Sequence, residues 1–80
     1  MVETKIQLSS VNDVKDFVSA VSFCRCDIDI AADRYIIDAK SIMGIFSLDL
    51  SKPLVLKINS TDEAEIADVL GKIERFVVKE

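Results

Sequence analysis

Few residues in this chain have side chains suited to chemistry, and Ser41 is the first of them. It opens the run Ile42-Met43-Gly44-Ile45-Phe46-Ser47-Leu48, where a helix N-cap would stand. A serine at an N-cap accepts hydrogen bonds from free backbone N–H groups, and that alone would justify the residue. The same hydroxyl is a chemically competent phosphate acceptor. A phosphate there would put about −1.5 to −2 charges at the positive end of a helix and recode the surface beside it. On residue chemistry alone the cap comes first, since serine is a common cap. Ser10 stands in a similar place, in Ser10-Val11-Asn12-Asp13, which has the form of a capping box with Asp13 at the third helical position.

The remaining reactive groups point away from an enzyme. The chain has no histidine, which excludes histidine-based acid–base catalysis and Ser-His triads. Gly44 and Gly71 are its only glycines, so there is no glycine-rich phosphate loop. Cys24 and Cys26 lack the further Cys or His that a tetrahedral metal shell needs, and a Cys-x-Cys pair on one strand face reaches disulfide geometry poorly. They read as reduced thiols, at least one of them buried. Asp27, Asp29 and Asp38 read as a solvated polar face, because no ligand loop accompanies them. The expectation is no enzyme, no cofactor and no metal.

Composition bounds the partners. Eighty residues are expected to form one small domain, 1–80, and half of them are hydrophobic, enough for a core. The net charge of −4 and the lack of a basic cluster argue against direct nucleic-acid binding. Apolar runs are far too short for a membrane span, and the first residues lack the apolar region of a signal peptide. The cytoplasm is the expected compartment.

The elements that must position these residues follow from periodicity. Val2, Thr4, Ile6 and Leu8 alternate with polar residues as a half-buried strand. Residues 11–23 carry Val14, Phe17, Val18 and Val21 at helical spacing. Cys26, Ile28 and Ile30 predict a second strand. Ala32-Asp33-Arg34 predicts a turn, and Tyr35, Ile37 and Ala39 a third strand. Leu54, Leu56 and Ile58 share one face of a fourth, after Pro53. Ser60-Thr61-Asp62-Glu63 reads as a capping box for a last helix, with Ile66, Val69, Leu70, Ile73 and Phe76 on one face. Its acidic start and the basic Lys72, Arg75 and Lys79 suit the helix dipole. The order β-α-β-β-α-β-α predicts an α+β, two-layer, open-faced sandwich: a four-stranded antiparallel sheet with three helices on one face. The other face, with Lys5, Asp27, Asp29, Asp38 and Lys57, should meet water.

The middle segment is unusually apolar. Ile42, Met43, Ile45, Phe46, Leu48 and Leu50 are more than a two-turn helix lying on a sheet can bury, so some should be exposed. Adjacent exposed Met and Phe suit a protein-docking patch, because Met adapts and Phe anchors.

Lys40-Ser41-Ile42-Met43-Gly44, together with the length, the element order and Asp62-Glu63-Ala64, resembles HPr, the small phosphocarrier of the phosphoenolpyruvate-dependent sugar phosphotransferase system. The resemblance implies that Ser41 is a regulatory phosphorylation site for an ATP-dependent HPr-type serine kinase/phosphorylase. It also implies that Ile42, Met43, Ile45 and Phe46 contact partner proteins. The family carries its phosphoryl group on a histidine followed, two residues on, by an arginine and then a proline. Counting back from Ser41 puts Ser10 at the histidine position, Asn12 at the arginine and Asp13 at the proline. A serine phosphate ester is a poor donor, so relay should fail. The pattern resembles the histidine-less catabolite-repression HPr-like proteins, the Crh type. That implies carbon catabolite control through Ser41 and a LacI-type repressor as partner. The alternatives are a degenerate binding module never phosphorylated, and a phosphocarrier using a non-histidine acceptor.

Overall fold

The computed structural model describes residues 2–32 and 34–78. Strand β1 (Val2–Ile6) leads to helix α1 (Val11–Ser22), strands β2 (Asp27–Ala32) and β3 (Tyr35–Asp38) and the short helix α2 (Ile42–Phe46). Strand β4 (Leu54–Asn59), helix α3 (Glu63–Lys72) and a 3₁₀ turn at Glu74–Phe76 complete the order. The predicted α+β arrangement is the observed one. The sheet runs β1-β4-β2-β3, and every neighbouring pair is antiparallel.

Alternation explains why this sheet has one dry face. Leu54, Leu56 and Ile58 of β4 are buried, and Ile58 and Leu56 sit opposite Ile28 and Ile30 of β2, which are buried too. Residues between them, such as Lys57 and Asp29, turn to the open face, where Lys5, Asp27 and Asp38 are exposed. On the dry face Val14, Phe17 and Val21 of α1 line up at helical spacing and are fully buried. Phe17 meets Phe76 edge to face, with ring centroids 5.8 Å apart and an interplanar angle of 80°. Both cysteines are buried and free, Cys26 lying just before β2 and not within it.

The last third of the chain departs from the sequence reading in two ways. The cap of α3 is Asp62, whose carboxylate accepts from the N–H groups of Ala64 at 2.9 Å and Glu65 at 3.4 Å. Ser60 lies two residues earlier and instead donates to the Glu65 carboxylate at 2.9 Å. A charged acceptor at a helix N-terminus also gains from the dipole, which favours aspartate over the serine. The helix stops at Lys72, so Phe76 reaches the core from the 3₁₀ turn and not from the helix face. The stop lets the following chain pair with β1. Gln7 N–H donates to Phe76 C=O at 2.8 Å and Val78 N–H to Lys5 C=O at 2.9 Å, with Ile6 bridged to Val77. Lys72 remains in the last helical turn, Arg75 lies beyond it, and Lys79 falls outside the described residues, as does Asp33 of the expected turn. No helix among the described residues is long and apolar enough to cross a membrane.

Phe17 joins α1 to the 3₁₀ turn within the buried core. Phe17→Ala is expected to cost about 3–5 kcal/mol, which approaches the whole stability of so small a domain. Urea unfolding followed by circular dichroism checks this; a loss below about 1 kcal/mol would contradict the central place given to that ring.

Candidate functional site

Helix α2 is built from its serine inward. Ser41 is extended (φ −93°, ψ 99°), and its Oγ accepts from the Gly44 N–H at 3.2 Å while its carbonyl accepts from Ile45 N–H at 3.1 Å. Ser41 is therefore an N-cap, as the spacing indicated, and it is exposed. Gly44 makes room for it: a Cβ there would lie 3.1 Å from Ser41 Oγ and 3.5 Å from Ile37 Cδ1. At the other end Ser47 Oγ donates to the Gly44 carbonyl at 2.6 Å, so both ends of a five-residue helix are closed by hydroxyls.

Lys40 fixes this helix to its neighbour. Its Nζ donates to the Cys24 carbonyl at 2.7 Å, just past the C-terminus of α1. Helix α1 has no basic residue in its own last turn, so Lys40 supplies the cation that a helix C-terminus favours. In the sequence Lys40 stands out only as part of a motif, because a contact across sixteen positions leaves no periodic signal.

The four apolar residues of α2 divide by face. Ile45 is fully buried, which corrects its expected place on a partner-binding surface: it is the anchor that holds α2 to the core. Ile42 is half-buried against the same core. Met43 is 76% exposed and Phe46 38% exposed, and their three-residue spacing puts them side by side on the outward face. The candidate docking surface is thus Met43 and Phe46, rimmed by Ile42, with the Ser41 hydroxyl at its edge.

A second corner lies at the start of α1. Ser10 Oγ accepts from Asp13 N–H at 3.1 Å, the predicted cap. The reciprocal bond reaches one residue further back than in a standard box, because Asp13 Oδ2 accepts from both the N–H of Ser9 at 3.1 Å and its Oγ at 2.8 Å. These bonds, the backbone one foremost, together with the Arg75 guanidinium hold the Asp13 carboxyl below its ordinary value of 3.8. Arg75 reaches in from the 3₁₀ turn, 3.5 Å from Asp13 Oδ1 and 2.9 Å from Asp16 Oδ2, with its guanidinium 4.4 Å over the Phe76 ring. Asn12 is exposed beside it. The Gln7 amide donates to the Leu50 carbonyl at 2.9 Å, tying this corner to the segment that follows α2.

The corner is poorly made for phosphoryl relay. A phosphate on Ser10 would face the Asp13 carboxylate, and the nearby guanidinium is already committed to two acids. The sequence had placed Arg75 on the last helix and offered no sign that it would lie here. The acidic residues of the open face are locally satisfied as well. Asp29 lies opposite Asp38 across β2 and β3, Asp29 accepts from Asn59 Nδ2 at 2.9 Å, and Asp38 accepts from Lys40 N–H at 2.9 Å.

Two outcomes follow from this geometry. Ile45→Ala is expected to cost about 2–5 kcal/mol and Met43→Ala under about 0.5 kcal/mol, since one removes core and the other surface. Equal losses in chemical denaturation would show that α2 does not sit as described. For Asp13, a lowered folded-state pKa means stability that is present above its ordinary value and lost as the pH falls through the folded one. Asp13→Asn is therefore expected to destabilise most near neutral pH, with the gap to the parent closing below about pH 4 in urea titrations. A gap that widens in acid would reverse the sign.

No protein-family model matches this chain, and no curated protein matches it. Among solved structures 17 chains match. One is the crystal structure of HPr-C-His from Thermoanaerobacter tengcongensis, with a TM-score of 0.72 and 28% sequence identity over 92% of this chain and 92% of that one. That likeness covers nearly all of both chains, so the α+β fold of this chain is HPr-like.

Proposed function

We propose that this chain is a regulatory HPr-like protein of the phosphotransferase system, without carrier chemistry, that acts by binding other proteins. The observation that carries the reading is an HPr-like fold in a chain with no histidine. Phosphoryl relay needs a high-energy, reversible phosphoryl bond, which an imidazole nitrogen forms and a serine ester does not. Ser10, at the position counted back to the family histidine, is occupied as a cap beside an acid.

Ser41 is the proposed switch. Its hydroxyl is exposed, and it opens a helix whose outward side chains are Met43 and Phe46. A phosphate of about −2 charge at that end is electrostatically tolerated by the helix and changes the charge complementarity of the docking patch. The patch selects the partner through Met43 and Phe46, with Ile42 at its rim. The chemistry fits an HPr-type serine kinase/phosphorylase acting on Ser41 and a LacI-type catabolite-control repressor reading it, both in the cytoplasm. A rival reading has one observation in its favour: the Ser41 hydroxyl is already used as a cap, as it would be in a constitutive binding module.

Intact mass after incubation with ATP and an HPr-type serine kinase separates these readings, with Ser41→Ala as control. One added phosphate, absent from the variant, is expected; no addition by a kinase active on an ordinary HPr leaves the constitutive module. Labelling from phosphoenolpyruvate on any residue would instead revive carrier chemistry. Met43→Ala and Phe46→Ala are each expected to weaken partner binding about tenfold, equivalent to about 1.4 kcal/mol, with the fold intact.

A further inference from the structure

The two edges of the sheet are treated differently. The outer side of β1 is taken by the chain after the 3₁₀ turn, through the Gln7–Phe76 and Val78–Lys5 bonds. At the other edge β3 has β2 as its one strand neighbour among the described residues. That edge carries Tyr35 and Ile36, 67% and 66% exposed. Exposed apolar edge strands are templates for pairing with another chain.

The β3 segment is self-complementary. In an antiparallel register centred on Ile36, Ile36 meets Ile36 of a second copy, Tyr35 meets Ile37, and Arg34 meets Asp38. By two-fold symmetry the last two pairs each occur twice. The backbone agrees with this register. Ala39 N–H donates inward to Ile28 C=O at 2.9 Å, so by alternation Tyr35 and Ile37 also bond inward and Ile36 and Asp38 face outward. The Asp38 carbonyl already accepts from Ser41 N–H at 3.0 Å, which leaves Ile36 N–H, Ile36 C=O and Asp38 N–H to make the new ladder.

Charge favours the same occupant. Asp38 sits directly opposite Asp29 within the sheet, a like-charge pair that costs stability. Arg34 of a second copy would lie on the far side of Asp38 and relieve it. Ile36 lies on the open face, opposite Ala31, which in turn pairs with Val55. Joining two copies would therefore place Ile36 against Ile36 between two Arg–Asp pairs and cover the apolar end of an otherwise charged face.

We propose that β3 is a self-association edge, through which two copies of this chain join their sheets antiparallel about Ile36. The contact is short, since β3 has four residues, and it buries less than the ~800 Å² per partner of a stable complex. The dimer is accordingly weak and concentration-dependent. It uses neither Ser41 nor Met43 and stands apart from the proposed switch.

Sedimentation velocity of the full chain from about 10 µM to about 1 mM tests it. The expected result is a mass rising from 8.9 kDa towards twice that value. Ile36→Lys, at an exposed position, is expected to stay folded and monomeric throughout. Arg34→Glu and Asp38→Lys are each expected to be monomeric alone, because each homodimer then opposes like charges. Mixed in equal amounts they should associate again, because both cross pairs become attractive. A monomer at every concentration overturns the proposal, and so does a dimer that survives Ile36→Lys, which must use another face. Should Asp38→Lys fail to fold, Ile36→Lys and Arg34→Glu decide the matter by the same readout.

Discussion

Burial of one face of β4 and β2 is the constraint on which the rest of the molecule depends. β4 is paired on both sides, so its polar backbone is satisfied and its side chains alone decide which way the sheet faces. Leu54, Leu56 and Ile58 on one side and Lys57 on the other leave a single answer. A one-residue slip would turn those apolar side chains into water. The helices are then laid against that face, and Phe17 and Phe76 close the space between α1 and the chain's last turn.

The short helix is a consequence of how little of that face remains. Five residues make barely more than one turn, too few for a helix to hold together by its own hydrogen bonds. It persists because Ser41 and Ser47 close its ends, Ile45 is driven into the core, and Lys40 pins its approach to the end of α1. Once Ile45 points inward, helical geometry requires Met43 to point outward. The candidate surface and the anchor of the fold are thus two sides of one turn.

Electrostatics distinguish the two serine caps. Ser10 opens α1 among Asp13 and Asp16, with Arg75 drawn in to neutralise them. The Ser41 hydroxyl accepts from Gly44 N–H in the space that Gly44 leaves, and no acid among the described residues is hydrogen-bonded to it. The same residue type at the same structural position is therefore suited to quite different chemistry, and the difference comes from its neighbours.

Periodicity alone carried most of the fold. Strand and helix positions, their order, the caps at Ser10 and Ser41 and the wet face of the sheet are all local patterns, and local patterns are written in neighbouring residues. The missing histidine and the Lys40-to-Gly44 run were legible for the same reason. Tertiary structure decided what depends on distant pairing. It made Ile45 core and left Met43 and Phe46 outside, since a uniformly apolar helix does not say which side meets the sheet. It moved the α3 cap from Ser60 to Asp62 and ended that helix at Lys72, because the chain beyond pairs with β1. It brought Arg75 to Asp13 across 62 positions and Lys40 to Cys24 across 16, contacts that no spacing rule foresees. It also covered one sheet edge and left β3 open, which only the packing of the last residues could settle.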